Sequence, residues 1–134
     1  MISVYIDGSC KPNPGKGGIG IFFSGDKMSY SISEKLPGNR LSSNECEYHA
    51  FNRALAEILT YRFNMEEVLV YSDSQLLVEQ LNGRKSVDKG RNYSAYLQAK
   101  ELIKHFPNLK IEWVGRDGNT EANLLASKAI RVWH

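Results

Sequence analysis

Val68-Leu69-Val70-Tyr71-Ser72-Asp73-Ser74-Gln75-Leu76-Leu77-Val78-Glu79-Gln80-Leu81 is the stretch on which the fold turns. Val68 to Tyr71 is a short run of buried-strand type, and the residues from about Ser74 to Leu81 suit a helix that Asn82-Gly83 stops. A strand that hands over directly to a helix is half of a crossover unit, and crossovers make parallel sheet. Further along, Tyr96, Ala99, Ile103 and Phe106 recur at helical spacing up to Pro107-Asn108. Leu109, Ile111 and Trp113 then alternate as a strand, and Ala122 to Val132 predicts a closing helix with Ala126 and Ile130 on one side. Going back from Val68, Ala50, Phe51, Ala54, Leu55, Ile58 and Leu59 mark a helix whose start is set by Ser42 and Glu45 at capping-box spacing. Ahead of it, Ile2, Val4 and Ile6 form a strand ending at Asp7, Ile19 to Phe23 a second, and the residues near Met28 to Ser33 a third. Gly8 to Gly18 reads as a loop, and Ser24-Gly25-Asp26-Lys27 as a turn. Closely spaced strands with short turns predict an antiparallel meander. The expected architecture is α/β: a mixed five-stranded sheet, three antiparallel strands followed by two parallel ones, with helices packed on it. It forms a single domain over residues 1–134, with no internal repeat, low-complexity stretch or linker.

The bulk numbers fit that architecture and leave the function open. Hydrophobic residues make up 42% and charged residues 24%, ordinary values for a globular chain. Seventeen Lys and Arg stand against 15 Asp and Glu, a net charge of +2. That balance neither requires nor excludes a polyanionic partner, since a local basic stripe suffices to bind phosphate. Cys10 and Cys46 lack metal-ligand or redox spacing and are expected as reduced thiols. The start of the chain has no basic segment followed by a long apolar one, and no run approaches membrane-spanning length. A cytoplasmic protein is the expectation.

Three acids fall where acids are structurally awkward. Asp7 and Asp73 close apolar strands, and Glu47, three and four residues before Ala50 and Phe51, shares the inward face of its helix. Carboxylates rarely turn toward a core unless something positive meets them. Taken singly, each suits a structural role: Asp7 and Asp73 read as turn residues, and Asp73-Ser74 has the form of a helix N-cap. Taken together they favour a site for a hard divalent cation such as Mg²⁺, which takes oxygen ligands.

At this point the residues resemble a known family. Asp7-Gly8-Ser9-Cys10-Lys11-Pro12-Asn13-Pro14-Gly15 resembles the opening motif of type 1 ribonucleases H. Ser42-Ser43-Asn44-Glu45-Cys46-Glu47-Tyr48-His49-Ala50 is similar to the helix motif that carries the family's catalytic Glu. Tyr71-Ser72-Asp73-Ser74-Gln75-Leu76 matches the third motif, and Val114-Gly115-Arg116-Asp117-Gly118-Asn119 with Ala122 to Ser127 the fourth. The motifs keep the family's order across nearly the whole chain. The resemblance implies a ribonuclease H-like fold and an endonuclease that hydrolyses the RNA strand of RNA–DNA hybrids. Asp7, Glu47 and Asp73 would hold two Mg²⁺ or Mn²⁺ ions roughly 4 Å apart, leaving 5′-phosphate and 3′-hydroxyl ends. It also implies minor-groove contacts from Gly8, Ser9, Asn13, Ser43, Asn44 and Gln75, which read the 2′-hydroxyl. Asn13 equally suits the Pro12-Asn13-Pro14-Gly15 turn, and Ser43 stands where many members carry Asn. The partner is a hybrid; no membrane and no organic cofactor is implied, and a monomer is expected.

Two departures stand out. The family's fourth carboxylate directly follows the Ala of the last motif, and here that position is Asn123. An amide oxygen can touch a metal but brings no charge, so a catalytic and metal-binding role for Asn123 comes with weaker occupancy of the second ion. Glu121 points to another side of its helix, and Asp117 is the conceivable replacement. The basic, Trp-containing protrusion of some relatives is reduced here to the segment from Gly83 to Arg91, with no aromatic residue. Two readings therefore compete: an active hybrid nuclease, and a catalytically weakened nucleic-acid-binding domain of the same fold. An integrase-like member fits less well, because Asn13, Asn44 and Gln75 match the hybrid-reading set. Gly15-Lys16-Gly17-Gly18-Ile19-Gly20 has dinucleotide-fingerprint spacing, yet a strand follows it where a helix is required. His49 faces away from Glu47, and His105 and His134 have no partner at ligand spacing.

Overall fold

The first strand runs well past Asp7. In the computed structural model, which describes residues 1–131, β1 spans Ile2–Lys11 and β2 spans Lys16–Gly25. The expected loop from Gly8 to Gly18 therefore shrinks to the turn around Pro12 to Gly15. Its glycines do not break the ladder; they make room for helices. β3 (Tyr30–Lys35) follows, then α1 (Ser43–Thr60), β4 (Val68–Ser72), α2 (Gln75–Leu81), α3 (Tyr93–Ile103) and β5 (Leu109–Trp113). A 3-10 turn at Arg116–Asn119 leads into α4 (Thr120–Arg131). The expected end of that helix at Val132, and the terminal His134, lie outside the described residues. β3 sits two residues later than expected, with Met28 buried ahead of it. α3 ends before Phe106, which is buried from the following turn.

The sheet order is β3-β2-β1-β4-β5. β1 pairs antiparallel with β2, and β2 with β3, whereas β1–β4 and β4–β5 are parallel. The expected three-plus-two arrangement holds. It holds because Val68 to Ser72 has no short return to its neighbours and must cross over through helices.

Two glycines place the helices. A Cβ on Gly8 would overlap the backbone of Cys46 and Glu47, so α1 lies directly on that point of β1. A Cβ on Gly20 would overlap the carbonyl oxygen of Ala122, so α4 lies equally close on β2. Gly20 pairs with Asp7 and therefore shares its face, while Gly8, the next residue along, faces the other way. α1 and α4 thus cover opposite faces of the sheet, and Asp7 points to the α4 side. Ile2, Val4 and Ile6 are fully buried on the α1 side with Tyr48, Phe51, Leu55 and Ile58. Each such side chain contributes about 1.5–3 kcal/mol. The expected capping box is present at Ser42 and Glu45, with Ser42 Oγ accepting from the Glu45 N–H at 3.1 Å. No helix among the described residues is long and apolar enough to cross a membrane.

Candidate metal centre

The β1–β4 ladder ends at the pair Ile6 and Ser72. Asp7, though internal to β1, is therefore the first residue beyond that ladder, and Asp73 is the first residue after β4. Both carboxylates emerge where the sheet opens between these two strands. Glu47, in the second turn of α1, reaches the same opening because Gly8 lets the helix lie against β1. The Gly8 N–H donates to Glu47 Oε1 at 2.9 Å and fixes that side chain. One carboxylate oxygen from each of Asp7, Glu47 and Asp73 lies within 4.8 Å of the other two. The three acids singled out from the sequence do converge.

The protonation of Asp7 and Glu47 shows the strain of that convergence. Burial, then repulsion from Asp73, pushes the Asp7 carboxyl from 3.8 to about 7. Burial, then the charges of Asp7 and Asp73, raises Glu47 well above the usual range. The Arg116 guanidinium and the Gly8 N–H pull both of them partly back down. A site that disfavours its own negative charges in this way is stabilised by a cation between them.

Two further atoms point to the same conclusion. Asp73 Oδ2 and Asn123 Oδ1 are buried and have no hydrogen-bond partner among the described residues. Buried oxygens without donors are uncommon and call for one. Asp73 does not act as the N-cap of α2: Ser74 Oγ takes that role, accepting from the Leu77 N–H at 3.2 Å. Asp73 is thereby left to the cluster. Hard oxygen donors, an excess of negative charge and two unpartnered acceptors fit Mg²⁺ or Mn²⁺ and not a soft metal. Asn123 lies in the first turn of α4, the helix that packs closely on Gly20, the strand partner of Asp7. Asp117 is exposed and stands apart from the three converging acids, as does Glu121.

The family described as "Reverse transcriptase-like" matches residues 5–129. EbsB of Enterococcus faecalis is 31% identical over 100% of this chain and 97% of its own length. The bifunctional protein Rv2228c of Mycobacterium tuberculosis is 31% identical over 96% of this chain, which spans only 35% of that protein. LC11-RNase H1, solved in complex with an RNA/DNA hybrid, superposes with a TM-score of 0.87 at 27% identity, covering 98% of this chain and 97% of that one. The chain belongs to the ribonuclease H-like family.

Within this ribonuclease H-like frame the remaining expected residues lie on β1, on the β1–β2 turn and at the starts of α1 and α2. Gly8 is buried and Ser9 half-buried at the far end of β1; Asn13 is exposed on the turn. Asn13 Oδ1 accepts from the Ser43 N–H at 3.2 Å and from the Cys10 thiol at 3.4 Å, so its acceptor already ties the turn to the start of α1. The turn role read for Asn13 is real, and its amide N–H groups remain for a ligand. Ser43 Oγ lies 3.4 Å from the same Cys10 sulfur. Asn44 is half-buried in the first turn of α1, and Gln75 is exposed at the start of α2. Both cysteines are free, and burial pushes the Cys46 thiol up to about 12, so it stays protonated.

Three contacts escaped the sequence. Arg116 is exposed yet close enough to act on Asp7 and Glu47; no spacing rule links it to residues so far upstream. Asn119, 1% exposed, donates from Nδ2 to the Ile6 carbonyl at 2.9 Å and so holds the 3-10 turn beside Asp7. Arg91, at the end of the segment from Gly83, donates to the Arg40 carbonyl at 3.0 Å and lies 3.7 Å from Glu45, at the start of α1.

Proposed function

We propose that this protein is a metal-dependent endonuclease that hydrolyses the RNA strand of RNA–DNA hybrids. The observation that carries the reading is the convergence of Asp7, Glu47 and Asp73 oxygens within 4.8 Å at the opening between β1 and β4. Membership of a family that includes a hybrid-bound ribonuclease H1 supports the substrate. Two Mg²⁺ or Mn²⁺ ions, held by Asp7, Glu47, Asp73 and Asn123, supply the Lewis acidity that activates water and steadies the leaving 3′-oxygen. The products carry 5′-phosphate and 3′-hydroxyl ends.

The side chains have separate tasks. Asp7, whose charge acts on Glu47 and feels that of Asp73, would hold the metal together with them. Gly8 holds Glu47 by its N–H, which leaves the other carboxylate oxygen for the metal. Arg116 presents a guanidinium fork to the phosphate being cut, where a planar double donor fits two oxygens. Gly8, Ser9, Asn13, Ser43, Asn44 and Gln75 line the minor groove and select RNA through the 2′-hydroxyl. Asn123 provides an uncharged oxygen where a fourth carboxylate would add charge, so the second ion is held more weakly. The protein works as a monomer and needs no organic cofactor.

The test is cleavage of a labelled hybrid by purified protein in Mg²⁺ and in Mn²⁺, beside duplex DNA and single-stranded RNA. Asp7→Asn controls for contaminating nuclease. Cutting confined to the hybrid and lost in the control supports the enzyme. Folded protein that binds the hybrid and cuts with neither metal would establish the weakened binding domain instead.

A further inference from the structure

Glu47 and Asp73 are held in different ways. Glu47 is held by the Gly8 N–H at 2.9 Å, whereas Asp73 Oδ2 is buried with no hydrogen-bond partner among the described residues. The direction of its carboxylate therefore depends on its main chain. The residues on either side are pinned: the Val114 N–H donates to the Ser72 carbonyl at 2.9 Å, and the Ser74 N–H to Ser72 Oγ at 3.0 Å. At residue 73 itself, the contact is the indole Nε1–H of Trp113, which donates to the Asp73 carbonyl at 3.3 Å.

Trp113 ends β5 directly beside Ser72 in the parallel ladder and remains 53% exposed. Burial does not account for a large aromatic left this open at the mouth of a polar site. Its specific polar contact does, because an indole offers one donor and no acceptor. We propose that Trp113 is a positioning residue for the metal centre: its indole N–H fixes the main chain of Asp73, and through it the direction in which the carboxylate meets the cation. The assignment rests on the metal-dependent reading of this same site. It gives β5, which contributes no carboxylate, a part in metal binding. Residues that orient a ligand without touching the ion commonly govern affinity in this way.

Trp113→Phe keeps an aromatic ring and removes only the N–H, which makes it the discriminating variant. Mn²⁺ binding by calorimetry, without nucleic acid, is expected to weaken roughly tenfold, the low end for loss of an outer partner. The thermal midpoint in EDTA should move by less than about 5 °C. On a hybrid substrate kcat should fall while KM holds. In the unaltered protein, the Trp113 indole N–H resonance, assigned by its absence from the variant, should shift as Mg²⁺ is added. An unchanged Mn²⁺ affinity in Trp113→Phe, or an indole resonance indifferent to Mg²⁺, overturns the assignment. A parent protein that binds Mn²⁺ and cuts no hybrid would remove the nuclease reading and leave this one standing. A parent that binds no Mn²⁺ would end this proposal as well.

Discussion

Replacing Asp7 by Asn should make the metal-free protein more stable while it abolishes function. Holding a carboxyl at about 7 instead of 3.8 costs its ionised form roughly 4 kcal/mol once the pH exceeds both values. Burial is the largest part of that cost, repulsion from Asp73 the next, and Arg116 offsets some of it. Asparagine removes the charge but must still be buried as a polar amide, so a net gain of about 1–3 kcal/mol is expected. For a chain of this size the melting temperature should rise by roughly 3–10 °C. The sign follows from proton linkage. With its folded value raised, Asp7 binds more protons folded than unfolded between pH 3.8 and about 7, so parent stability falls as pH climbs through that window. The advantage of Asp7→Asn should therefore be near zero at pH 4, grow to about pH 7 and then level off. Thermal or urea unfolding in EDTA at pH 4, 6 and 8.5 reads it directly. Saturating Mg²⁺ should close the gap from the parent's side, because a ligand at a hundred times its Kd stabilises by about 2.7 kcal/mol. No gain at pH 8.5, or an equal gain at pH 4, would refute the account of the site as an electrostatically strained cation cradle.

Asn123→Asp restores a charge beside that cradle. It should tighten Mg²⁺ binding and raise kcat by about tenfold, while lowering the metal-free melting temperature at pH 8.5; calorimetry, single-turnover cleavage and unfolding check the three effects. Gly8→Ala drives a Cβ into the Cys46 and Glu47 backbone, which should cost about 1–3 kcal/mol and displace Glu47. Cleavage should then fall even where circular dichroism shows the fold intact. Arg116→Ala removes the positive group that holds Asp7 and Glu47 down. Mn²⁺ affinity should weaken at pH 7 and recover by pH 9, and a profile that does not move along the pH axis would count against the proximity of Arg116 to the cluster.

The sheet order was legible because hydrophobic period changes sharply between Ile2 to Phe23 and Ala50 to Leu59, and because Val68 to Leu81 joins strand to helix without a return turn. The three acids were legible only together: Asp7 and Asp73 singly suit turns, and their coincidence with Glu47 on an inward helix face is what sets them apart. The extent of β1 and β2 was not. Gly8, Gly17 and Gly18 look like loop residues in one dimension, and only the packed helices reveal them as clearances in a continuous ladder. Arg116 and Trp113 were hidden because their effects act across the fold on residues far away in sequence. The contacts of Arg91 with the Arg40 carbonyl and Glu45 were hidden for the same reason.

The hydrogen bond from Asn119 to the Ile6 carbonyl joins residues 113 positions apart. During synthesis, the central strand and all three carboxylates leave the ribosome well before the amide that anchors the turn beside Asp7. Arg116, Asn119 and Asn123 follow only after Asp7, Glu47, Asp73 and all of β5 have been made. A site built in this order receives its neutralising guanidinium and its anchoring amide only after its acids.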